Sequence, residues 1–264
     1  MTVLRVIDSG VAPARWNIAV TAALAELHRA GSVPDTLRFH RYPRSVLLGR
    51  HQVLDREIDT EQCRRRNLEI ARRVTGGGAV YMCPGILAWD LVMDRAQLGA
   101  RLGAAAEHVC ATVADGLRRL GVAARVDPPN DIVIDGRKVS GSSGAFDGPA
   151  LVHQGTVVLE FDRAEMAGVL KARPGRLAPA ARVTSLAESL GRAPTADEVR
   201  DALTAAMSHA WGASVREAEL SADERALAQV LLEREIGTDA FVFGTDAPDA
   251  EPAVGRRAVR GAPR

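Results

Sequence analysis

Between residues 36 and 94 the sequence alternates short apolar runs with Pro, Gly or charged residues, and this alternation constrains the fold more than any other feature. Five runs have the composition of β-strands, namely TLRFHRY, SVLLGR, LEIARRV, GAVYM and ILAWDLVMD. Later, NDIVIDGRKVSGSSGAF predicts a hairpin with Asp135-Gly136 at its turn. These hairpin-like connections favour a mixed, largely antiparallel sheet over a doubly wound parallel one.

Helical spacing of apolar residues marks the segments between and after these strands. Residues 15–30 and 98–120 each predict a helix that ends at a glycine, and the pattern is helical again from about residue 163. Thr195 and Ser221 stand where helix N-caps are expected, each with an acidic residue three positions later. The chain is therefore predicted to be an α+β protein, with its sheet and helices packed as a two-layer sandwich.

Composition excludes several classes of function. At 264 residues the chain can bury a sizeable core, but a net charge of +1 and an aromatic content of 4% do not suit a nucleic-acid-binding protein. No apolar run approaches the roughly 18 residues of a membrane span, so we expect a cytoplasmic protein without a membrane partner. Cys63, Cys83 and Cys110 are too scattered for a disulfide framework or a zinc site.

The first chemical cluster is ARRVTGGGAVYMCPG, residues 71–85. Glycines lack Cβ, so this backbone can adopt positive φ and approach a ligand closely. The paired arginines carry forked donors suited to phosphate or carboxylate. Taken alone, the segment is better explained as a tight turn with two solvated arginines, and it matches neither of the common nucleotide-binding glycine motifs.

The second cluster surrounds Lys138, one of only two lysines among the 34 basic residues. Its ammonium is a compact point charge that can approach a single oxygen, which a guanidinium cannot do. Asn130 and Asp131 precede it and could reach a metal-bound phosphate. A third cluster, His153-Gln154 in LVHQGTVVLEF, is by itself more typical of structural strand residues.

In order and spacing these clusters resemble the lipoate–protein ligase family, which shares its fold with biotin–protein ligases. The resemblance covers roughly residues 15–245 and is carried by the N-terminal helix and by SVLLGRHQ, RRVTGGGAVYM, NDIVIDGRKVSGS, HQGTVVL and ARVTSL. It implies one catalytic domain over residues 1–245. Residues 246–264 have few large apolar side chains and are expected to form a disordered tail.

The family resemblance implies a ligase that activates lipoate with ATP and Mg²⁺ to lipoyl-AMP and transfers the lipoyl group to a lysine of an acceptor protein. Lys138 would be the catalytic residue, and Asp131 would also serve Mg²⁺. The residues expected to bind lipoate or the adenylate are Arg72, Arg73, Thr75, Gly76, Gly77, Gly78, Ala79, Tyr81, Asn130, Asp131, Ser140, Gly141, His153, Gln154, Gly155 and Thr156. The apolar walls are expected to be Val74, Val80, Trp89 and Leu151.

Some residues depart from the family pattern. Met82-Cys83 stands where many ligases have His-Asp, and YMCPGILAWDLV resembles a branch that serves the lipoate-binding proteins of sulfur oxidation, which are similar to glycine-cleavage H proteins. The family's separate C-terminal accessory domain is not expected within this sequence, so either adenylation needs a partner subunit or this branch works without one. Two alternatives remain open: an octanoyl- or lipoyl-transferase using a cysteine thioester, and a non-catalytic lipoate-binding subunit.

Overall fold

The computed structural model describes residues 2–99, 101–172 and 178–244, and the predicted tail at 246–264 lies outside the described residues. The strands are β1 (Val3–Val11), β2 (Thr36–Arg41), β3 (Ser45–Leu48), β4 (Glu69–Arg72), β5 (Val80–Met82), β6 (Ile86–Asp94), β7 (Arg125–Asp127), β8 (Asp131–Ile134), β9 (Arg137–Asp147), β10 (Ala150–Val158) and β11 (Ser214–Ala218). The helices are α1 (Ala14–Arg29), α2 (Leu54–Glu57), α3 (Thr60–Arg65), α4 (Leu102–Arg119), α5 (Arg163–Val169), α6 (Pro179–Arg182), α7 (Leu186–Leu190), α8 (Ala196–Trp211), α9 (Ala222–Leu231) and α10 (Asp239–Phe243).

A mixed sheet with the order β11-β1-β2-β6-β10-β9-β8-β7 forms the centre of the molecule. Strand β1 runs parallel to β2 and β11. Along the rest of this sheet, each of the neighbouring pairs β2-β6, β6-β10, β10-β9, β9-β8 and β8-β7 is antiparallel. A smaller sheet has the order β4-β3-β5. The α+β class with a mixed, largely antiparallel sheet packed with helices is thereby confirmed.

Helices cover both faces of the large sheet, and alternation along the strands determines which residues face each side. Even-numbered residues of the central strand β6, such as Val92, pack with α1 and the small sheet. Odd-numbered residues, such as Trp89, pack with α4 and α8. Burial on both faces explains why β6 is apolar at nearly every position.

Capping residues predicted from the sequence fix the first turns of two helices, one on each face of the sheet. A capping box joins Thr195 and Glu198 at the start of α8, and α9 begins with another formed by Ser221 and Glu224. Helices α4 and α8 approach closely at Gly116, where an added Cβ would lie 2.7 Å from Leu203 Cδ2. The packing of α4 against α8 therefore depends on a small residue at position 116.

The parallel edge of the sheet was not predicted. Strand β1 precedes the first segment for which the sequence predicts an element, and β11 lies within the part predicted to be helical. Four of the five residues of β11 are exposed, and the strand has no apolar alternation. It exists because its backbone pairs with β1, a contact between residues more than 200 positions apart, from Val3↔Ser214 to Ile7↔Ala218.

None of the helices in the described ranges has the length and hydropathy that crossing a membrane would require.

Candidate active site

Two adjoining cavities, of about 500 and 270 Å³, open on the face of the large sheet that the small sheet covers. Both are bordered by Lys138, by Asp131 and by Gly77-Gly78 of the glycine loop. Lys138 therefore stands where the two cavities meet. A single cation at such a junction can contact one ligand in each cavity.

The backbone around Lys138 is arranged to present its ammonium to both cavities. The pairing of β8 with β9 slips by one residue between Ile132↔Ser140 and Val133↔Lys138, a β-bulge that redirects the side chains of β9. Lys138 Nζ lies 2.6 Å from Asp131 Oδ1. The side chain crosses over Gly141, where an added Cβ would come within 2.3 Å of both Cε and Nζ. Glycine is therefore required at 141 for Lys138 to occupy this position.

A row of paired residues across the sheet, small except for His40 at its end, forms the floor of the smaller cavity. The pairs His40↔Ala88, Ala88↔Thr156 and Thr156↔Gly141 place four strands in register. His40 and Gly141 are three strand spacings apart, roughly 14 Å. The result is a trough that runs from Lys138 at one end to His40 at the other.

The next row of paired residues carries a buried polar network. Arg38 Nη1 donates to Asp90 Oδ2 at 2.9 Å, and both side chains are almost fully buried. Gln154 Nε2 donates to Asp90 Oδ1 at 3.0 Å, and Thr75 Oγ1 donates to Gln154 Oε1 at 2.8 Å. The network thus ties the glycine loop, through Thr75, to the centre of the sheet.

Arg73 holds the glycine loop over the trough. Its Nη2 donates to the carbonyl oxygens of Gly76 and Gly78 at 2.8 and 2.9 Å, and Nη1 donates to that of Leu47 at 3.2 Å. Burial lowers the pKa of Arg73 to about 10, so it remains charged at neutral pH. Gly77 has a φ of +92°, which few other residues adopt. Arg73 therefore shapes the roof of the cavity.

Arg72 lies away from both cavities. Its guanidinium donates to carbonyl oxygens of the loop after β3, including Gln52 at 2.8 Å, and to those of Phe241 and Val242 in α10 at 3.0 Å. Arg72 and Arg73 are consecutive in the sequence, but their side chains point in different directions. Only Arg73 reaches the site. Arg72 instead joins the last described helix to the body of the protein.

His153 is also placed away from the cavities, contrary to the expectation from the sequence. It is fully buried on the opposite face of the sheet, stacked on Trp89 with 5.7 Å between ring centroids. Trp89 and Leu151 belong to the same core on that face and form no wall of the site. Strand alternation gives the reason: Gln154 and Thr156 face the trough, so their odd-numbered neighbours point away.

The remaining predicted residues lie close to the site. Ala79, Tyr81 and Ser140 border the larger cavity, whereas Gly155 borders the smaller one. Val80 borders both cavities, as predicted, and Val74 borders neither. The Tyr81 hydroxyl donates to Glu165 of α5, which also pairs with Arg44. These contacts fix α5 beside the larger cavity.

Asp131 borders both cavities, whereas Asn130 borders the smaller one. Asn130 Nδ2 donates to the Ser142 carbonyl, and Asp131 engages Lys138 through Oδ1. Among the described residues no group of three or more His, Cys, Asp or Glu side chains is arranged to hold a metal ion. Two oxygens suit an ion such as Mg²⁺ that is bound largely through phosphates and water.

The larger cavity combines apolar and cationic side chains. Its apolar contributors include Val80, Met82, Ile86, Val158, Met166 and Leu170. Besides Lys138, the cations on its wall are Lys171 and Arg182, both exposed. Lys171, the other lysine of the chain, also donates to the Asp55 carbonyl at 2.7 Å. Such a wall suits a ligand with a flat apolar part and an anionic part.

None of the three cysteines borders either cavity. Cys63, Cys83 and Cys110 are all buried. Burial raises the pKa of the Cys63 thiol to about 11 and also raises the pKa of Cys83 and of Cys110. Cys110 Sγ lies 3.3 Å from Oγ of Ser142, which borders the smaller cavity. The thiolate form that a nucleophile requires is disfavoured at each position.

Sequence reasoning missed Arg38, His40 and Asp90. Each is a polar residue within an apolar strand segment, TLRFHRY or ILAWDLVMD, and each has the even-numbered position that faces the trough. Polar residues at these positions indicate a buried polar network, because strongly polar residues are buried in a sheet only when they have hydrogen-bond or charge partners.

Comparison with known proteins agrees with this geometry. Residues 13–208 match the family model described as the lipoyl protein ligase A/B catalytic domain. Octanoyltransferase LipM of Symbiobacterium thermophilum is 28% identical over 266 residues, which is 89% of this chain and 96% of that protein.

The fold is shared with solved structures, among them the two that follow. The crystal structure of lipoate-protein ligase A bound with ATP has a TM-score of 0.83 and 26% identity, and covers 92% of this chain and 99% of that one. The bi-partite lipoate protein ligase of Thermoplasma acidophilum, described with its E2 lipoyl domain, has a TM-score of 0.82 and 26% identity, and covers 95% and 99%.

Proposed function

The chain belongs to the family of the lipoyl protein ligase A/B catalytic domain, and from that premise we propose that it is a lipoate–protein ligase. It would activate lipoate with MgATP to lipoyl-AMP and transfer the lipoyl group to a lysine of an acceptor protein. The observation that carries this proposal is the position of Lys138 at the junction of two cavities of different character. We assign this activity to residues 1–245.

The smaller cavity is the proposed site of the acid. Its trough runs from Lys138 to His40, and the roughly 14 Å between His40 and Gly141, the glycine that Lys138 crosses, suits an eight-carbon acid lying across the sheet. With the carboxylate at Lys138, the chain passes over Gly141, Thr156 and Ala88. Burying eight carbons would contribute at most roughly 6 kcal/mol to binding.

The larger cavity is the proposed site of the nucleotide. Its apolar wall can cover a base, and Lys171 and Arg182 bring positive charge for the phosphates. Asn130 Oδ1 and Asp131 Oδ2 would hold Mg²⁺ together with phosphate oxygens. When bound, that ion would neutralise charge on the phosphates.

Lys138 would act in both half-reactions. In the first, a carboxylate oxygen of lipoate attacks the α-phosphorus and pyrophosphate leaves. In the second, the amine of the acceptor lysine attacks the acyl carbon, the carbon–oxygen bond to AMP breaks and AMP leaves. Negative charge develops on oxygens at the junction in each step, and a fixed ammonium stabilises it there. Asp131 keeps the ammonium in place before the substrates bind.

The second candidate is an octanoyltransferase, which the similarity to octanoyltransferase LipM favours. Transfer through a thioester needs a nucleophilic cysteine, and the burial and raised pKa of all three thiols argue against it. The variants Cys83→Ser and Cys110→Ser test this candidate directly. Full acyl transfer by both variants supports the ligase, whereas loss of a covalent acyl-enzyme in either supports the transferase.

The proposed acceptor is a lipoyl domain or an H-protein-like lipoate-binding protein, including those of sulfur oxidation. The similar Thermoplasma acidophilum ligase is bi-partite and is described with its E2 lipoyl domain. A separate accessory subunit is therefore the second proposed partner, acting in the adenylation step. Assays with and without such a subunit, using both kinds of acceptor, test these assignments.

Lipoate-dependent release of pyrophosphate from ATP tests the proposed function. The wild-type chain should release pyrophosphate only when lipoate is present, and Lys138→Ala should abolish the release. Lys138→Arg is the matched control for charge, and it should also fail because guanidinium cannot take the position of the ammonium over Gly141. A chain that binds lipoate without releasing pyrophosphate, alone or with an accessory subunit, would instead be a binding subunit.

A further inference from the structure

Arg72 joins two backbone segments that are far apart in the sequence, and it is only 3% exposed. Nη1 donates to carbonyl oxygens of residues 49–52, which we call the GRHQ loop, including that of Gln52 at 2.8 Å. Nε donates to the carbonyl oxygens of Phe241 and Val242 in α10, both at 3.0 Å. A guanidinium carries its N–H donors in a fixed fork, so this one side chain holds both segments at a set distance.

The GRHQ loop lies directly against the glycine loop that roofs the trough. Arg50 N donates to the Thr75 carbonyl at 2.9 Å. At Gly49 an added Cβ would fall 2.1 Å from the Gly77 carbonyl oxygen, so no side chain separates the two backbones. Because backbone meets backbone at this contact, a displacement of the GRHQ loop moves the glycine loop as well.

Helix α10 contacts the GRHQ loop and α1, but none of its residues borders either of the two cavities. The Arg50 guanidinium lies over the Phe241 ring, 4.8 Å from its centroid. From α1, Arg15 Nη1 donates to Asp239 Oδ1 at 2.8 Å. A helix of five residues is not stable by itself, so the position of α10 depends on contacts of this kind.

We propose that Arg72 is a positioning residue for the smaller cavity and transmits the position of α10 to the glycine loop. With Arg72 in place, α10 and the GRHQ loop keep a fixed separation, and Gly77 stays over the trough. The inference rests on the proposed function only in taking lipoate as the ligand of the trough. Any change that shifts α10 is therefore expected to change the affinity for the acid, although α10 does not touch it.

Hydrogen exchange of the Arg50 amide, followed by NMR, tests the inference without any ligand. This N–H is bonded to the Thr75 carbonyl, so it exchanges when the GRHQ loop and the glycine loop separate, whereas amides of the central strand β10 report on global unfolding. Arg72→Lys keeps the charge but loses the fork. Relative to the β10 amides, we expect the Arg50 amide to exchange at least about tenfold faster in this variant, because one charge-assisted hydrogen bond is worth about that factor.

Val242→Ala tests whether α10 takes part. It removes a fully buried side chain of α10 and leaves Arg72 and Arg50 unchanged, and it should also accelerate exchange of the Arg50 amide about tenfold relative to β10. Arg5→Lys is the matched control, because Arg5 is another buried arginine and joins α9 to the sheet through Glu224. It should change the exchange of the Arg50 and β10 amides by the same factor.

Calorimetric titration with lipoate completes the test. Arg72→Lys and Val242→Ala should each bind lipoate about tenfold more weakly than the wild type, whereas Arg5→Lys should bind it equally well. Wild-type exchange of the Arg50 amide in either α10-contact variant overturns the inference, as does an equal loss of affinity in Arg5→Lys. If even the wild-type chain binds no lipoate, the proposed function fails. Faster exchange at Arg50 in both variants then still supports the positioning role, and unchanged exchange overturns it.

Discussion

At the scale of single residues, the site depends on positions where a side chain is absent as much as on the charged groups. Lys138 reaches the junction of the cavities because Gly141 leaves room for its Cε and Nζ. Gly77 lets the loop above it turn with a φ of +92°. Strand alternation explains why Gln154 belongs to the site and His153 does not.

Gly141→Ala should displace Lys138 while leaving the fold intact. The added Cβ would fall 2.3 Å from the end of the lysine side chain, which can move aside more easily than backbone. We expect the rate of adenylate formation to fall about a hundredfold, as misplacement by about 1 Å can cost. Gly103→Ala, where no atom lies within 4 Å of the added Cβ, is the control and should retain full activity.

Because His153 is buried in its neutral form, we expect the free energy of unfolding to fall in mild acid. Burial lowers its pKa from 6.5 to about 4. Above about pH 6.5 the ring is neutral in both the folded and the unfolded chain and has no effect. As the pH falls from 6.5 to 4, the unfolded chain binds a proton that the folded chain excludes, so roughly 3 kcal/mol of stability is lost.

Urea unfolding at pH 7.5 and pH 4.5 measures this effect. The change in the free energy of unfolding between the two pH values should be smaller in His153→Leu than in the wild type. An equal change in both proteins would show that His153 does not remain neutral in the folded chain.

At the scale of elements, the important contacts join strands that are distant in sequence. The sequence predicted β2, β6 and β10 as strands, and it identified the glycine loop and Lys138. It could not predict that His40, Ala88 and Thr156 form one row, because register is set by backbone pairing and by packing on both faces. For the same reason the placement of Trp89 and Leu151 was wrong: their apolar strands are buried on both faces, so composition does not show which face a residue takes.

Arg73→Lys tests the role of Arg73 in holding the glycine loop. A lysine keeps the charge but cannot donate together to the carbonyls of Leu47, Gly76 and Gly78. The affinity for lipoate, measured by calorimetry, should fall at least about tenfold. Arg64→Lys, on the exposed surface of α3, is the matched control and should leave the affinity unchanged. Wild-type affinity in Arg73→Lys would mean that the loop holds its shape without the guanidinium.

At the scale of the whole molecule, the Arg38–Asp90 pair links the main layers. Arg38 also donates to the backbone of Asn17 in α1 at 3.1 Å, and Asp90 accepts from Thr21 of the same helix at 2.8 Å. Through Gln154 and Thr75 the same network reaches the glycine loop. The sheet, α1 and the roof of the site are therefore expected to unfold together.

Asp90→Asn should destabilise the entire domain. The substitution keeps the shape of the side chain but leaves the guanidinium of Arg38 buried without its counter-charge, a change that costs about 3–5 kcal/mol. Urea unfolding followed by circular dichroism should show one transition at a markedly lower midpoint. Glu61→Gln, which removes two exposed ion pairs from α3, should leave the midpoint unchanged. An unchanged midpoint in Asp90→Asn would contradict the structural role of the pair.

A crystal structure of the chain with lipoate and MgATP tests the central claim most directly. The account predicts lipoyl-AMP with its acyl chain over Gly141, Thr156 and Ala88, its nucleotide in the larger cavity, and Lys138 Nζ beside the acyl-phosphate oxygens. An acyl group bound to a cysteine, or a nucleotide bound away from Lys138, would contradict it.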